Sequence, residues 1–137
     1  MCYNYIVGKF REKGSGVLPI LISNNPDVAS HFSAIYQVEI YEAATPLEIL
    51  QKARNLVHLG HGLLTHPLAG SLPAGLSPFK SVVLTAAPLA PAPDVNIINI
   101  IEGAVNTYSK VVFGVYCEEN NKDFSAIDLA LIKGGIR

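Results

Sequence analysis

The sequence predicts an α/β fold: a small three-layer, Rossmann-like domain with a mainly parallel sheet of three to four strands flanked by helices. Three observations point there. Short runs of continuous apolarity, at residues 17–22 and 81–85, have the length and β-branched content of strands buried on both faces. Longer stretches, opening near Pro46 and after Asp94, repeat apolar residues at helical spacing. The two kinds alternate along the chain, as they do when helical crossovers join parallel strands. A chain of 137 residues fits one core, so residues 1–16 read as an N-terminal extension and 17–137 as a single α/β domain.

The extension ends in Gly14-Ser15-Gly16, a flexible break. Tyr3, Tyr5, Ile6 and Val7 are expected to pack on the sheet edge or on a second subunit. After the first strand, Ser23-Asn24-Asn25-Pro26 forms a turn in which Asn25 caps a helix and Pro26 takes its first position, where a missing N–H does no harm. That helix runs to about Phe32. Residues 36–41 then alternate Tyr36, Val38 and Ile40 with Gln37, Glu39 and Tyr41, the pattern of an edge strand.

The sharpest local signal is Thr45-Pro46-Leu47-Glu48, a capping box with proline at N1. Ile49, Leu50, Ala53, Leu56 and Val57 share one face of the helix it starts, and Gly60 suits a left-handed C-terminal cap. From Gly60 to Phe79 no period is visible. A loop of about twenty residues in a small domain is uncommon and is usually functional or disordered; the prolines and apolar residues here favour an ordered one. The third strand follows at 81–85, then a Pro/Ala connector over 86–93. Asp94 caps a helix whose stripe is Ile97, Ile98, Ile101, Ala104, Val105 and Tyr108. Residues 111–116 fit either a fourth strand or an apolar continuation of that helix, with Gly114 favouring strand. The polar residues 118–122 read as a loop. A final helix from about Asp123 should bury Phe124, Ile127, Ala130 and Leu131 and stop at Gly134-Gly135.

Composition excludes several functions. Half the residues are hydrophobic and 15% are charged, far from the signature of disorder. Ten basic and eleven acidic side chains leave a net charge of -1 with no Lys/Arg block, so nucleic acid and anionic membranes are not expected partners. Cys2 and Cys117 are too few for a disulfide framework, and no opening signal or spanning apolar run is visible; a cytoplasmic location is expected.

Candidate chemistry gathers between His58 and Lys80. His58, His61 and His66 fall within nine residues, yet no Asp, Glu or Cys lies between Asn55 and Val83, so no metal and no other cofactor is expected. His58 belongs on the solvent face of its helix, where it interacts with the helix dipole. The segment from His61 to Ser71 instead reads as a ligand-binding loop: it combines His61 and His66, the hydroxyls of Thr65 and Ser71, and glycine amides such as that of Gly70. Lys80 adds a positive charge suited to carboxylate or phosphate. In a parallel sheet the Ser23, Asn24 and Asn25 turn would face this loop across one cleft. The competing reading is a proline-stiffened structural loop with Thr and Ser as turn caps. No Gly-x-Ser-x-Gly elbow or phosphate loop is present, so nucleophilic catalysis would have to rest on Ser71 or Ser23 with His66 and with Asp128 as a distant orienting acid; Cys117 sits beside Glu118 and Glu119, which would raise its thiol pKa.

Four stretches, Ile20-Leu-Ile-Ser-Asn-Asn-Pro26, His61-Gly-Leu-Leu-Thr-His-Pro-Leu-Ala-Gly-Ser71, Ser77-Pro-Phe-Lys-Ser81 and Asp123-Phe-Ser-Ala-Ile-Asp-Leu-Ala-Leu-Ile-Lys133, together resemble the GrdX family. Its members are small proteins encoded beside the glycine, sarcosine and betaine reductase systems of amino-acid-fermenting anaerobes. The resemblance spans most of residues 18–133. It brings no catalytic residues with it and implies a context, an accessory to anaerobic amino-acid reduction. The function expected from residues and resemblance together is an accessory protein that binds a small anionic metabolite, or a protein of the reductase system, through the 61–80 loop, and that forms a homo-oligomer. The alternative is a small hydrolase or transferase with His66 as general base and Lys80 stabilising developing negative charge; the sequence leaves open whether the protein is catalytic.

Overall fold

A computed structural model describes residues 18–68, 77–89, 92–111 and 118–135. The elements in chain order are β1 (Ile20–Ser23), α1 (Val28–Phe32), β2 (Gln37–Ile40), α2 (Pro46–His58), β3 (Ser81–Leu84), α3 (Val95–Ser109) and α4 (Glu118–Gly135). The α/β class holds, but the mainly parallel, Rossmann-like sheet does not. The sheet is mixed, in the order β2-β1-β3, with β1 parallel to β2 and antiparallel to β3.

The physical reason lies in a segment too short to register as a strand. After β2 the chain crosses over through α2 and returns at Gly62–Thr65, which runs along β3 with an antiparallel bridge between Leu63 and Leu84. Leu64 N–H donates to the Val83 carbonyl at 2.7 Å and Thr85 N–H to the Gly62 carbonyl at 2.9 Å. A run antiparallel to β3 is parallel to β1, so residues 62–65 are the parallel element the crossover delivers. β3 comes back the other way and fits between that run and β1. The fourth-strand reading of 111–116 lies outside the described residues beyond Val111; α3 itself ends at Ser109, with Lys110 as its C-cap.

Two apolar layers flank the sheet. Ile20, Ile22, Val82, Leu84 and Leu63 face α2 and α3 through Ile49, Leu50, Ala53, Val57, Ile101, Ala104 and Tyr108. Leu21, Val83 and Leu64 face the other way, onto Val28 and Phe32 of α1, Tyr36, and Ile132 of α4. This is strand alternation, with successive side chains entering opposite layers. It extends to Leu63 and Leu64, although residues 62–65 form no named strand.

Local signals explain the helix ends. Thr45 Oγ1 accepts from Glu48 N–H and Glu48 Oε1 accepts from Thr45 N–H, completing the capping box. At the other end Gly60 has φ 106°, Gly60 N–H donates to Val57 O and His61 N–H to Leu56 O, the Schellman pattern that needs a glycine. Elsewhere the expected boundaries shift. The first helix starts at Val28, not Pro26, because Asn25 Oδ1 accepts from Asp27 N–H and closes a turn ahead of the helix. α4 begins at Glu118, so residues 118–122 belong to the helix instead of forming a loop. The inward face of α4 also differs from the expected one. Ser125, Asp128 and Ile132 are buried, whereas Ile127 and Ala130 are exposed.

Candidate functional site

The antiparallel placement of β3 sets its first residues, Lys80 and Ser81, beside the last residues of β1. Asn24 N–H donates to the Lys80 carbonyl at 3.3 Å, and Lys80 N–H donates to Asn24 Oδ1 at 2.8 Å. The site therefore forms at the carboxyl ends of β1 and of the parallel run 62–65, with the amino end of the antiparallel β3 between them. α4 closes it from one side and Thr65–Pro67 from the other.

The asparagine turn is a structural knot. Asn24 is almost fully buried, and its amide donates to Ala44 O at 2.9 Å and Pro78 O at 2.8 Å. Asn25, with no exposed surface, donates to Ser125 O at 3.3 Å and Asp128 Oδ2 at 3.1 Å, and accepts from Asp27 N–H and from Ser125 Oγ. Ser125 Oγ has one proton to share between Asn25 Oδ1 and the Asp27 carboxylate at 2.7 Å. Ser23, also buried, accepts from Asn25 N–H at 2.9 Å. Ser81 Oγ donates to Asp128 Oδ2 at 2.7 Å, which spends its only proton, so Ser23 is the donor in the 2.7 Å contact between the two serines. A directed chain thus runs from Asn25 N–H through Ser23 and Ser81 to Asp128.

Beside this knot opens a shallow cleft, open to solvent, whose enclosed space holds about one water-sized group and which is lined by Thr65, His66, Lys80, Ser81, Asp128, Leu131 and Ile132. Lys80 Nζ donates to Pro67 O at 2.9 Å and stands 4.9 Å from the centre of the Tyr108 ring. Burial lowers the Lys80 ammonium pKa, with the Asp128 charge acting against that shift. Burial likewise raises the Asp128 carboxyl, opposed by hydrogen bonds from Ser81 and Asn25 and by the charge of Lys80. The two groups influence each other without meeting in a direct ion pair. Tyr108 is raised by burial first and by Asp128 second.

These directions give a pH dependence. Because Asp128 binds its proton more tightly in the folded chain, its contribution to stability is fully present below the ordinary aspartate range and is lost as pH rises through the raised folded value. Urea unfolding of Asp128→Asn should therefore show the variant gaining on the native protein as pH is raised from 3.5 to 7. A stability difference that does not change with pH would contradict this.

The structure brings together Ser23, Asn24, Asn25, Thr65, His66 and Lys80 among the residues singled out from sequence. Thr65, His66 and Lys80 line the cleft, whereas the three turn residues spend their polar atoms within the protein. Thr65 Oγ1 also accepts from Val83 N–H at 3.0 Å. His61 is not part of the cluster: it is buried at the other end of β3, where its Nδ1 contacts Thr85 O at 2.8 Å. Gly70 and Ser71 lie outside the described residues. His58 is exposed and paired with Glu102 at 2.9 Å, so the three histidines occupy separate places. Sequence reasoning missed Ser81 and Ser125 and treated Asp128 only as a remote orienting acid. The available signal was Ser125, Asp128 and Ile132 at helical spacing, two polar residues on the stripe that holds a core isoleucine.

The family model of the GrdX-like protein matches residues 20–137, which takes in every element and the whole cleft. The chain belongs to the GrdX-like family. That membership agrees with the resemblance carried by the turn, loop and helix motifs, and it suggests an accessory protein of glycine reductase-type systems. No protein of curated function and no solved structure matches the chain. The cleft of this GrdX-like chain must therefore be read from its own chemistry. Among the described residues no helix is long and apolar enough to cross a membrane.

Proposed function

We propose that this GrdX-like protein is a non-catalytic accessory of an amino-acid reductase system that binds a small carboxylate- or phosphate-bearing metabolite in the Lys80 cleft. The observation that carries the reading is the placement of Lys80. Its ammonium is half-buried, has one carbonyl partner in Pro67, and lines a cleft with the Thr65 hydroxyl and the His66 ring. An ammonium has three N–H donors, so donors remain for a ligand anion, and partial burial strengthens the attraction relative to open water.

A non-catalytic role is favoured over the general-base alternative by the state of His66. Its Nδ1 accepts from Leu68 N–H at 3.1 Å, and a backbone N–H can only donate. The neutral ring then carries its hydrogen on Nε2, which leaves the cleft a donor and not a base. Such a donor suits an anion.

A thermal-shift panel of acetate, glycine, betaine, phosphate and acetyl phosphate tests the reading. Millimolar concentrations of at least one should stabilise the native protein by mass action, about 2.7 kcal/mol at a hundredfold excess over Kd. Lys80→Met, which keeps an apolar stem against Tyr108, should abolish the shift. Absence of any shift in the native protein, or an equal shift in Lys80→Met, overturns the proposal.

A further inference from the structure

We infer that the ligand of this cleft is a zwitterion of the α-amino-acid class, its carboxylate taken by Lys80 and its ammonium by Asp128. The inference rests on the cleft being a ligand site and adds the second charge. Asp128 is 8% exposed and lines the same cleft as Lys80. Its Oδ2 accepts from both Ser81 and Asn25. Its Oδ1 has no hydrogen-bond partner among the described residues. A buried carboxylate oxygen without a donor is costly unless something else supplies one.

A simple anion does not resolve this. It would satisfy Lys80 but stand beside a second negative charge in a site of low dielectric, where like charges repel most. A simple cation fails at Lys80 for the same reason. A molecule with both charges on neighbouring atoms resolves both ends at once: an N–H donor for Oδ1 and an acceptor for the Lys80 donors that Pro67 leaves free. The absence of a direct Lys80–Asp128 ion pair fits, because two groups already paired would have no call for a bridging ligand. The Ser23–Ser81 chain and Asn25 hold Asp128 Oδ2 from behind, which fixes the carboxylate without occupying its outer oxygen.

Calorimetric titration of the full chain at neutral pH with glycine, acetate, phosphate, methylammonium and betaine tests the inference. Glycine should bind at least tenfold more tightly than acetate or methylammonium, each of which lacks one charge. Betaine, whose nitrogen has no N–H to give Oδ1, should be weaker than glycine. Asp128→Asn keeps an oxygen for Ser81 and Asn25 and turns an amide into the cleft; it should weaken glycine tenfold or more and strengthen acetate. Should acetate or phosphate bind the native protein as well as glycine does, the zwitterion is wrong while the anion site stands. Should neither glycine nor any anion bind, both readings fall. The native-protein panel decides the matter even if the variant does not fold.

Discussion

Asn25→Ala is expected to lower the unfolding free energy by about 3 kcal/mol, from loss of the polar junction between β1 and α4. The side chain is fully buried, and both ends of its amide are engaged by Asp27, Ser125 and Asp128. Truncation orphans those groups where water cannot replace the lost bonds, and this costs more than the bonds themselves contribute. Asn25→Asp separates the two effects. It keeps the shape but sets a second carboxylate against Asp128, so at neutral pH it should be at least as damaging as alanine. The added acid has its pKa raised by folding, so the stability it costs is recovered as pH falls and its proton returns. Urea titrations of both variants at pH 4 and pH 7 measure this. An Asp variant whose deficit is the same at both values would show that Asn25 acts by shape alone.

Leu50→Ala should cost a similar amount, about 3 kcal/mol, for an unrelated reason. Leu50 has no exposed surface and sits where α2 meets both the sheet and α3. Removing its branched end leaves a cavity between elements fixed from both sides, which limits collapse. Leu59, the residue just past the same helix, is 65% exposed, so Leu59→Ala should stay within about 0.5 kcal/mol. Denaturant midpoints for the pair test whether the core is the one described, and a large effect at Leu59 would place a contact there that the monomer does not contain.

The inward placing of Leu50 was legible in the sequence, because helix periodicity is a local property. So was the α2 start, where Thr45, Pro46 and Glu48 carry the whole signal within one turn. The direction of β3 was not. Residues 81–84 have the same apolar run whether they pair parallel or antiparallel, and the deciding residues, Gly62–Thr65, hide among glycines and prolines. The site was legible to the same degree. Ser23, Asn24, Asn25, Thr65, His66 and Lys80 do gather, but through an antiparallel pairing that sequence reasoning did not foresee. His61 fell away because β3 carries it to the opposite end of the sheet. Asp128 was read only as a distant orienting acid because the inward face of α4 was assigned to Phe124, Ile127, Ala130 and Leu131, and a carboxylate on a helix is ordinarily taken for solvent-facing.

The strand pairings also impose an order of assembly. Leu21 meets Val38 across the short β1-α1-β2 unit, but meets Val83 only after the chain has travelled through α2 and the stretch beyond it. Closing the larger loop costs more chain entropy, so the early unit can gather before β3 is in place. Asp128, 103 residues further along the chain, docks onto Asn25 through the hydrogen bond between their side chains. The cleft is thus a product of long-range closure: its wall of Asp128, Leu131 and Ile132 exists only once α4 has docked against β1 and β3.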